Sequence, residues 1–242
     1  MNHHRLSLLA LAVAGAFVCS PLRAIPPAEA EAGRAIVQKH ADTVVEVELV
    51  GSVEITVGDK VQPPREFKRA VNATVISPRG LAVFSLRSIT PPATMPNIKV
   101  GKPEYKEVKI RLADDTEIPA KLVLMDEDLD LAFVAPEPAV PDREFAYADL
   151  DHPAKAELLG TYYDLARAGK HLQRTPAIRS VYSIGVVEKP RQLVLLSDYS
   201  VGCPVFDAEG RLLGVSVRHM ADGRDTGMIL LPAASIAEIA PR

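Results

Sequence analysis

Two candidate nucleophiles, a run of carboxylates and a few scattered histidines carry the reactive chemistry of this chain. Ser200 and Cys203 lie close together, and Asp130 ends the acidic run Asp126-Glu127-Asp128-Leu129-Asp130. A serine hydroxyl becomes a nucleophile when a histidine takes its proton and a carboxylate orients that histidine. Beyond the first 24 residues the histidines are His40, His152, His171 and His219. Hydrolytic chemistry therefore requires a fold that brings one of them to a nucleophile.

Cys203 is a candidate because a thiolate can attack a carbonyl carbon. Its neighbours in the sequence, Gly202 and Pro204, supply no basic partner that would favour the thiolate. We predict that Cys203 is a small buried thiol.

The acidic run from Asp126 to Asp130 raises the question of a calcium site. Calcium loops place oxygen ligands at spaced positions around a turn glycine, and this run contains no glycine. No other segment has the spacing of metal ligands. The run is predicted to be a solvated turn at the start of a strand, and we expect neither a metal nor a cofactor.

The composition is typical of a folded globular chain. Of the 242 residues, 48% are hydrophobic and 24% are charged, and the net charge is -3. These values exclude a disordered chain, and the 20 prolines argue against a coiled coil. A net acidic chain without a basic cluster in its sequence argues against a nucleic-acid partner and against an anionic membrane surface.

Residues 1–24 have the order of a secretory signal peptide. A basic start precedes an apolar run from Leu6 to Val18, and the small residue Ala24 marks the expected cleavage point. The run is too short to cross a bilayer, which needs about 20 apolar residues. We expect a periplasmic or secreted bacterial protein without a membrane span. Only Cys203 remains after cleavage, so no internal disulfide can form.

The rest of the chain has the pattern of short β-strands separated by turns. Val45, Val47 and Leu49 alternate with glutamates, which is the period of a strand with one solvated face. Helices are predicted over residues 27–40 and 233–240. Strands are predicted within residues 45–49, 53–57, 71–76, 81–84, 108–112, 118–125, 129–134, 158–163, 178–187, 193–196, 205–206, 212–217 and 226–231. Strands this short and numerous predict an all-β barrel or sandwich.

A proline-rich stretch divides the chain near its middle. We predict an N-terminal helix and a first β-barrel over residues 25–137, a linker over residues 138–155, and a second β-barrel with a C-terminal helix over residues 156–242. His152 lies in this linker, from which it could approach a cleft between the barrels.

Three segments resemble trypsin-like (chymotrypsin-fold) serine peptidases, in particular the bacterial HtrA/Deg form. Residues 73–83 (ATVISPRGLAV) are similar to the strand, turn and strand before the catalytic histidine. Residues 108–134, which contain DEDLDLA, are similar to the stretch around the catalytic aspartate, and residues 202–215 to the hairpin after the nucleophile serine. The resemblance spans residues 35–240 and implies the two-barrel trypsin-like fold. Active members often add a peptide-binding PDZ domain after the barrels, and we expect none in this sequence.

Of the three catalytic positions of the family, the resemblance implies that one is retained in this sequence and two are replaced. Asp130 falls on the aspartate, Arg87 on the histidine, seven residues after Gly80, and Val201 on the serine, three residues before Pro204. Arginine cannot act as a base at neutral pH, and valine has no nucleophile. Loss of the serine or histidine alone lowers the rate on the order of a million-fold in a well-studied serine protease. The resemblance therefore implies the fold and argues against the activity.

Two further hypotheses concern this site. Ser200, one residue before the expected serine, could be presented by a bulge and paired with a histidine. Alternatively, Asp130 could hold the guanidinium of Arg87 in a forked ion pair, in which case Arg87→Ala would lower the melting temperature.

The function predicted best is that of an exported pseudoprotease, which binds a peptide or protein partner in the degenerate cleft. The alternatives are an active serine endopeptidase with a rearranged site at Ser200, and a structural protein of the envelope. Labelling of Ser200 by a fluorophosphonate would favour the endopeptidase.

Overall fold

The computed structural model describes residues 25–90, 98–221 and 224–241. The predicted signal peptide of residues 1–24 lies outside these ranges. Helix α1 spans Pro27–His40 and helix α2 spans Ala233–Ile239. Within the described ranges, neither helix is long and apolar enough to cross a membrane.

Strands make up most of the described chain. They are β1 (Val44–Val53), β2 (Ile55–Val57), β3 (Lys60–Val61), β4 (Arg65–Val75), β5 (Ala82–Ser85), β6 (Ile98–Val100), β7 (Glu104–Arg111), β8 (Glu117–Asp126), β9 (Leu131–Pro136), β10 (Thr161–Arg167), β11 (Pro176–Val187), β12 (Leu193–Leu196), β13 (Pro204–Phe206), β14 (Leu212–Ala221) and β15 (Arg224–Pro232).

The first barrel closes in the order β1-β4-β5-β9-β8-β7. Strand β1 pairs antiparallel with β4 over its whole length, from Val44 opposite Thr74 to Val53 opposite Arg65. Because successive side chains point to opposite faces of a strand, the alternating valines and leucine of β1 enter the core with Phe84 of β5.

The second barrel closes in the order β10-β11-β12-β15-β14-β13. Its interior contains Tyr162, Val181, Val194, Val205 and Leu230. An all-β fold of two barrels with a short helix at each end is therefore confirmed.

A small sheet in the order β3-β2-β6 extends from the first barrel. The sequence pattern did not predict strand β3, because its two residues, Lys60 and Val61, are too few to show alternation. The hairpin turn before it is made by Gly58, whose φ of 59° favours glycine.

A shared apolar core joins the two barrels. Val83 and Phe133 on the outer side of the first barrel pack with Val215 and Leu231 of the second, and Ile236 of α2 completes the cluster. The strands at this interface are buried on both faces, which explains the unbroken apolar run from Leu131 to Val134.

The segment between the barrels contacts both of them through its backbone. Phe145 and Ala148 donate their N–H groups to the carbonyls of Pro78 and Val75 in the first barrel. Ala154 donates to the carbonyl of Leu212 in the second barrel.

Arg167 at the end of β10 binds the start of the first barrel. Its side chain is 3% exposed. The guanidinium donates to the carbonyl oxygens of Val44 at 2.7 Å and Arg174 at 2.9 Å, and also to that of Ala41. Since buried carbonyls need donors, this one side chain supports the junction between the barrels.

Candidate functional site

Asp130 lies in the turn before β9, at the junction of the barrels. Its φ is 56°, and its side chain is buried. The carboxylate accepts hydrogen bonds from the hydroxyl of Ser85 at 2.5 Å, the N–H of Arg87 at 2.7 Å and the N–H of Arg218 at 2.8 Å. Two donors belong to the first barrel and one to β14 of the second, so Asp130 links the barrels.

The environment of Asp130 acts on its pKa in opposing ways. Burial raises the pKa of this carboxyl above its ordinary value, while the hydrogen bonds from Ser85, Arg218 and Arg87 and the charge of Arg87 oppose the rise. Both carboxylate oxygens are occupied by these three donors. In an active triad an imidazole N–H would also donate to this carboxylate.

Arg87 contacts Asp130 through its backbone N–H. It occupies a single 3-10 turn, Leu86–Ser88, whose first N–H groups point at Asp130: Leu86 donates to its carbonyl at 3.0 Å and Arg87 to its carboxylate. The side chain of Arg87 is exposed, and among the described residues it forms no ion pair within 4 Å. The predicted forked ion pair between Arg87 and Asp130 is therefore wrong, because Asp130 accepts the backbone N–H of Arg87, whose guanidinium lies more than 4 Å from the carboxylate.

The described histidines lie away from Asp130 and Ser200. His40 is buried and stacks on the ring of Phe206, with the ring centroids 4.3 Å apart. His152 is bonded to Asp149 at 2.8 Å, and this hydrogen bond raises its pKa. His219 bonds Thr226, and His171 lies in the short helical turn Lys170–Leu172. In the part of the chain that the structure describes, no imidazole is bonded to either residue.

The loop around Val201 packs directly against the first barrel. The hydroxyl of Thr74 donates to the carbonyl of Gly202 at 3.0 Å, and Gly202 donates its own N–H to Ser216 of β14. A Cβ at Gly202 would lie 2.4 Å from the carbonyl oxygen of Asn72, and the φ of Gly202 is 76°. Only glycine fits this contact.

Strand β14 connects Asp130 with the loop around Val201. Ser216 accepts the N–H of Gly202, and Arg218, two residues further along the strand, donates its N–H to Asp130. The structure therefore brings Arg87 and Asp130 into direct contact and places Val201 in a loop bound to the same strand.

The hydroxyl of Ser200 is bound by an arginine. Nη2 of Arg179 donates to Ser200 Oγ at 2.6 Å, and the same guanidinium pairs with Asp198. A guanidinium cannot take a proton from a hydroxyl, since it is always charged in a protein. The contact therefore stabilises the loop and does not activate Ser200.

Asp164 of β10 lies beneath this loop, and sequence reasoning missed it. Its carboxylate is fully buried and lies 3.3 Å from Nε of Arg179. Burial raises the pKa of Asp164 to about 6, opposed by the nearby hydroxyl of Ser200 and the charge of Arg179. A signal was present in the sequence, because Asp164 interrupts the apolar residues of Tyr162-Tyr163-Asp164-Leu165.

Cys203 is a buried thiol, as predicted. Its side chain is fully buried, and this burial raises the pKa of the thiol. The nearby carboxylate of Asp164 raises it further, so the nucleophilic thiolate is disfavoured.

Residues 25–90, 98–221 and 224–241, which the structure describes, contain no group of three or more His, Cys, Asp or Glu side chains that could hold a metal ion.

Comparisons with known proteins support the fold only. No protein-family model matches the chain, and no curated protein matches it. Among solved structures, the chain is similar to the apo form of the MamO protease domain from Magnetospirillum magneticum. The TM-score is 0.53 and the sequence identity is 14%, over 84% of this chain and 98% of that domain. The chain therefore has the trypsin-like protease-domain fold, with Asp130 between its two barrels.

Proposed function

We propose that this protein is an exported, HtrA-like pseudoprotease that binds a peptide or protein segment at the former catalytic cleft and does not hydrolyse it. The observation that carries the proposal is the hydrogen bonding of Asp130. Its carboxylate accepts from Ser85, Arg87 and Arg218 and from no imidazole of the described residues, whereas a catalytic aspartate orients an imidazole.

The residues that the resemblance assigns to the histidine and serine positions, Arg87 and Val201, support the same proposal. A peptidase of this fold needs a base to take the proton of the nucleophile and two free N–H groups to hold the oxyanion. Arg87 cannot act as that base, and Val201 has no nucleophile. With Val201 at the nucleophile position, those donors would be its own N–H and that of Tyr199, two residues earlier. The N–H of Tyr199 is already bonded to the carboxylate of Asp198 at 2.8 Å.

The guanidinium of Arg87 suggests what the cleft would bind. It is exposed and unpaired among the described residues. Its charge also lowers the pKa of Asp225, which pairs with Arg218 at 2.8 Å, so it lies near these groups. A free guanidinium forms forked hydrogen bonds with carboxylates, so an acidic side chain or the C-terminus of a peptide fits it best.

The absence of hydrolysis is tested with a fluorophosphonate probe and a fluorogenic casein substrate, with trypsin as the positive control. We expect neither labelling nor cleavage. Labelling that disappears in Ser200→Ala would overturn the proposal and favour the rearranged endopeptidase.

Binding is tested by screening a random peptide library on the purified protein and measuring the affinities of the selected peptides. We expect enriched peptides to carry a carboxylate and to lose at least tenfold in affinity to Arg87→Glu. The matched control is Lys155→Glu, an exposed charge reversal in the inter-barrel segment. Equal loss in both variants, or no enrichment at all, contradicts a peptide-binding cleft and favours a purely structural protein.

A further inference from the structure

Strand β4 has an open edge on the first barrel. It pairs with β1 from Arg65 to Thr74, but with β5 only through Thr74 and Val75. From Arg65 to Val71 its second edge pairs with no other strand of the described chain. Near Asn72 the second barrel covers this edge, because Gly202 lies against the Asn72 carbonyl.

The burial of β4 has the pattern of an edge strand. Arg65, Glu66, Lys68, Arg69 and Ala70 are all exposed, although neighbouring residues point to opposite faces. Both faces and one edge of this half of the strand are thus accessible. Unpaired N–H and C=O groups along such an edge can hydrogen-bond an added strand.

A groove of about 930 Å³ adjoins this half of β4. Its apolar surface combines Val53, Phe67 and residues of the small sheet, and the consecutive residues Arg65 to Arg69 line it as well. The ring of Phe67 is held in place, since it lies over Gly51 and meets the ring of Tyr105 edge-on at 6.1 Å. An extended peptide would find hydrogen-bonding groups and apolar contacts in one place.

The charge around the groove is positive although the chain is net acidic. Two segments, residues 53–69 and 98–106, contribute its cationic and acidic side chains. The cationic ones are Lys60, Arg65, Lys68, Arg69, Lys99, Lys102 and Lys106, and the acidic ones are Glu54, Asp59, Glu66 and Glu104. Lys68 and Lys106 pair with Glu48 and Glu66, while the other cations form no ion pair within the described residues.

We propose that the open edge of β4 binds an extended acidic segment of a partner protein, which adds as a strand. On the face that it shares with Arg65, Phe67 and Arg69, the segment would place an apolar side chain on Phe67 in the groove and carboxylates on the two flanking arginines. This surface is separate from the cleft at Asp130, so the inference does not depend on the proposed function. The charge also argues against a second copy of the chain as occupant. If two copies paired through their β4 edges, the arginines and lysine of one edge would lie beside those of the other. Like charges in such positions oppose edge pairing.

The test uses the full-length protein and a fluorescein-labelled peptide of eight residues, Ser-Glu-Ser-Val repeated, whose glutamates and valines lie on one face of an extended strand. It is called the Val/Glu peptide; lysine replaces glutamate in the Val/Lys peptide, and serine replaces valine in the Ser/Glu peptide. Fluorescence anisotropy is measured at low and high salt. We expect saturable binding that weakens at high salt, at least tenfold weaker binding of the matched Val/Lys peptide, and weaker binding of the Ser/Glu peptide. Equal binding of all three peptides, or no binding of the Val/Glu peptide, overturns the proposal.

Strand addition is tested with two N-methylated forms of the Val/Glu peptide. One carries N-methyl groups on the odd residues and the other on the even residues. Since only alternate N–H groups of an added strand point at the edge, one form must lose at least tenfold in affinity and the other must bind nearly normally. If both forms bind alike, the peptide does not add as a strand, and the proposal fails. This measurement uses the unmodified protein.

The arginines are tested with the double variant Arg65→Glu and Arg69→Glu, against Lys155→Glu as the control. We expect the double variant to lose at least tenfold in affinity and the control less than twofold, with unchanged circular dichroism in both. A ten-residue oligothymidylate serves as a plain polyanion. If it binds as tightly as the peptide and loses affinity to the same variant, the surface recognises charge alone and the strand proposal is wrong.

Discussion

The backbone N–H of Arg87 donates to the carboxylate of Asp130 at 2.7 Å, while the guanidinium of the same arginine stays in solvent. Arg87, which the resemblance assigns to the histidine position, thus contacts Asp130 with a group that every amino acid except proline possesses. The side chain at position 87 is therefore not needed for the local structure, and the carboxylate at position 130 is.

Removing the side chain of Arg87 should leave stability almost unchanged. Arg87→Ala keeps the N–H that Asp130 accepts and removes only an exposed side chain, so we expect a change within about 0.5 kcal/mol in the free energy of unfolding. Urea denaturation measures it. A loss above about 1.5 kcal/mol would indicate that the guanidinium of Arg87 does pair with Asp130, contrary to the structure.

Removing the charge of Asp130 should be strongly destabilising. In Asp130→Asn an amide group would face donors, and one of the three hydrogen bonds would be lost in a buried site. We expect a loss of about 2–4 kcal/mol in the free energy of unfolding. The exposed Asp128→Asn, two residues earlier, is the matched control and should be close to neutral. Equal stability of the two variants would contradict the role of Asp130 as a link between barrels.

Gly202 should not tolerate a side chain. Gly202→Ala would place a Cβ 2.4 Å from the carbonyl oxygen of Asn72, at a φ of 76°. We expect a loss of about 3 kcal/mol or more, since both the backbone conformation and the contact between barrels are affected. Gly169→Ala is the control, because nothing lies within 4 Å of its added Cβ. Comparable melting temperatures for the two variants would show that the loop moves freely away from the first barrel.

Asp164 should make the protein less stable as the pH rises. Its pKa is raised from 3.8 to about 6 in the folded state, so between these values the folded protein holds more protons than the unfolded chain. Stability from this group is therefore full below about pH 4 and is lost as the pH rises through 6, by on the order of 2–3 kcal/mol. Urea denaturation at pH 4.5, 6 and 7.5 measures the slope. We expect Asp164→Asn to flatten it and to be more stable than the native protein at pH 7.5, whereas parallel curves would argue against a buried carboxylate.

Removing the side chain of Arg167 at the junction of the barrels should be strongly destabilising. Its guanidinium serves the buried carbonyls of Ala41, Val44 and Arg174, which Arg167→Ala would leave without donors. We expect a loss of about 3 kcal/mol, and only partial recovery with Arg167→Lys, whose ammonium lacks the planar fork. Arg143→Ala, an exposed arginine in the segment between the barrels, is the control. A native-like Arg167→Ala would show that water replaces the guanidinium at this junction.

Local patterns predicted most of the architecture. Both helices were predicted to within a residue, and the alternation in Val45 to Leu49 identified β1 because a strand repeats every two residues. The unbroken apolar run at Leu131 to Val134 indicated burial on both faces, which the shared core between the barrels explains. Strand β2 lies within the predicted strand of residues 53–57, whereas β3 was missed, since its two residues contain too little of the pattern.

The amino-acid sequence by itself determined which groups are available: a carboxylate at 130, an arginine at 87, a valine at 201, and a glycine at 202 that alone fits its turn. These follow from residue identity and short-range periodicity. Only the tertiary structure decided how the groups are used. Whether Asp130 meets a guanidinium or a backbone N–H depends on the direction of one short turn, and its third donor, Arg218, is 88 residues away in the chain. The contacts of Asp164 with Arg179 and the open edge of β4 likewise depend on the closing of each barrel, which joins residues that no local pattern relates.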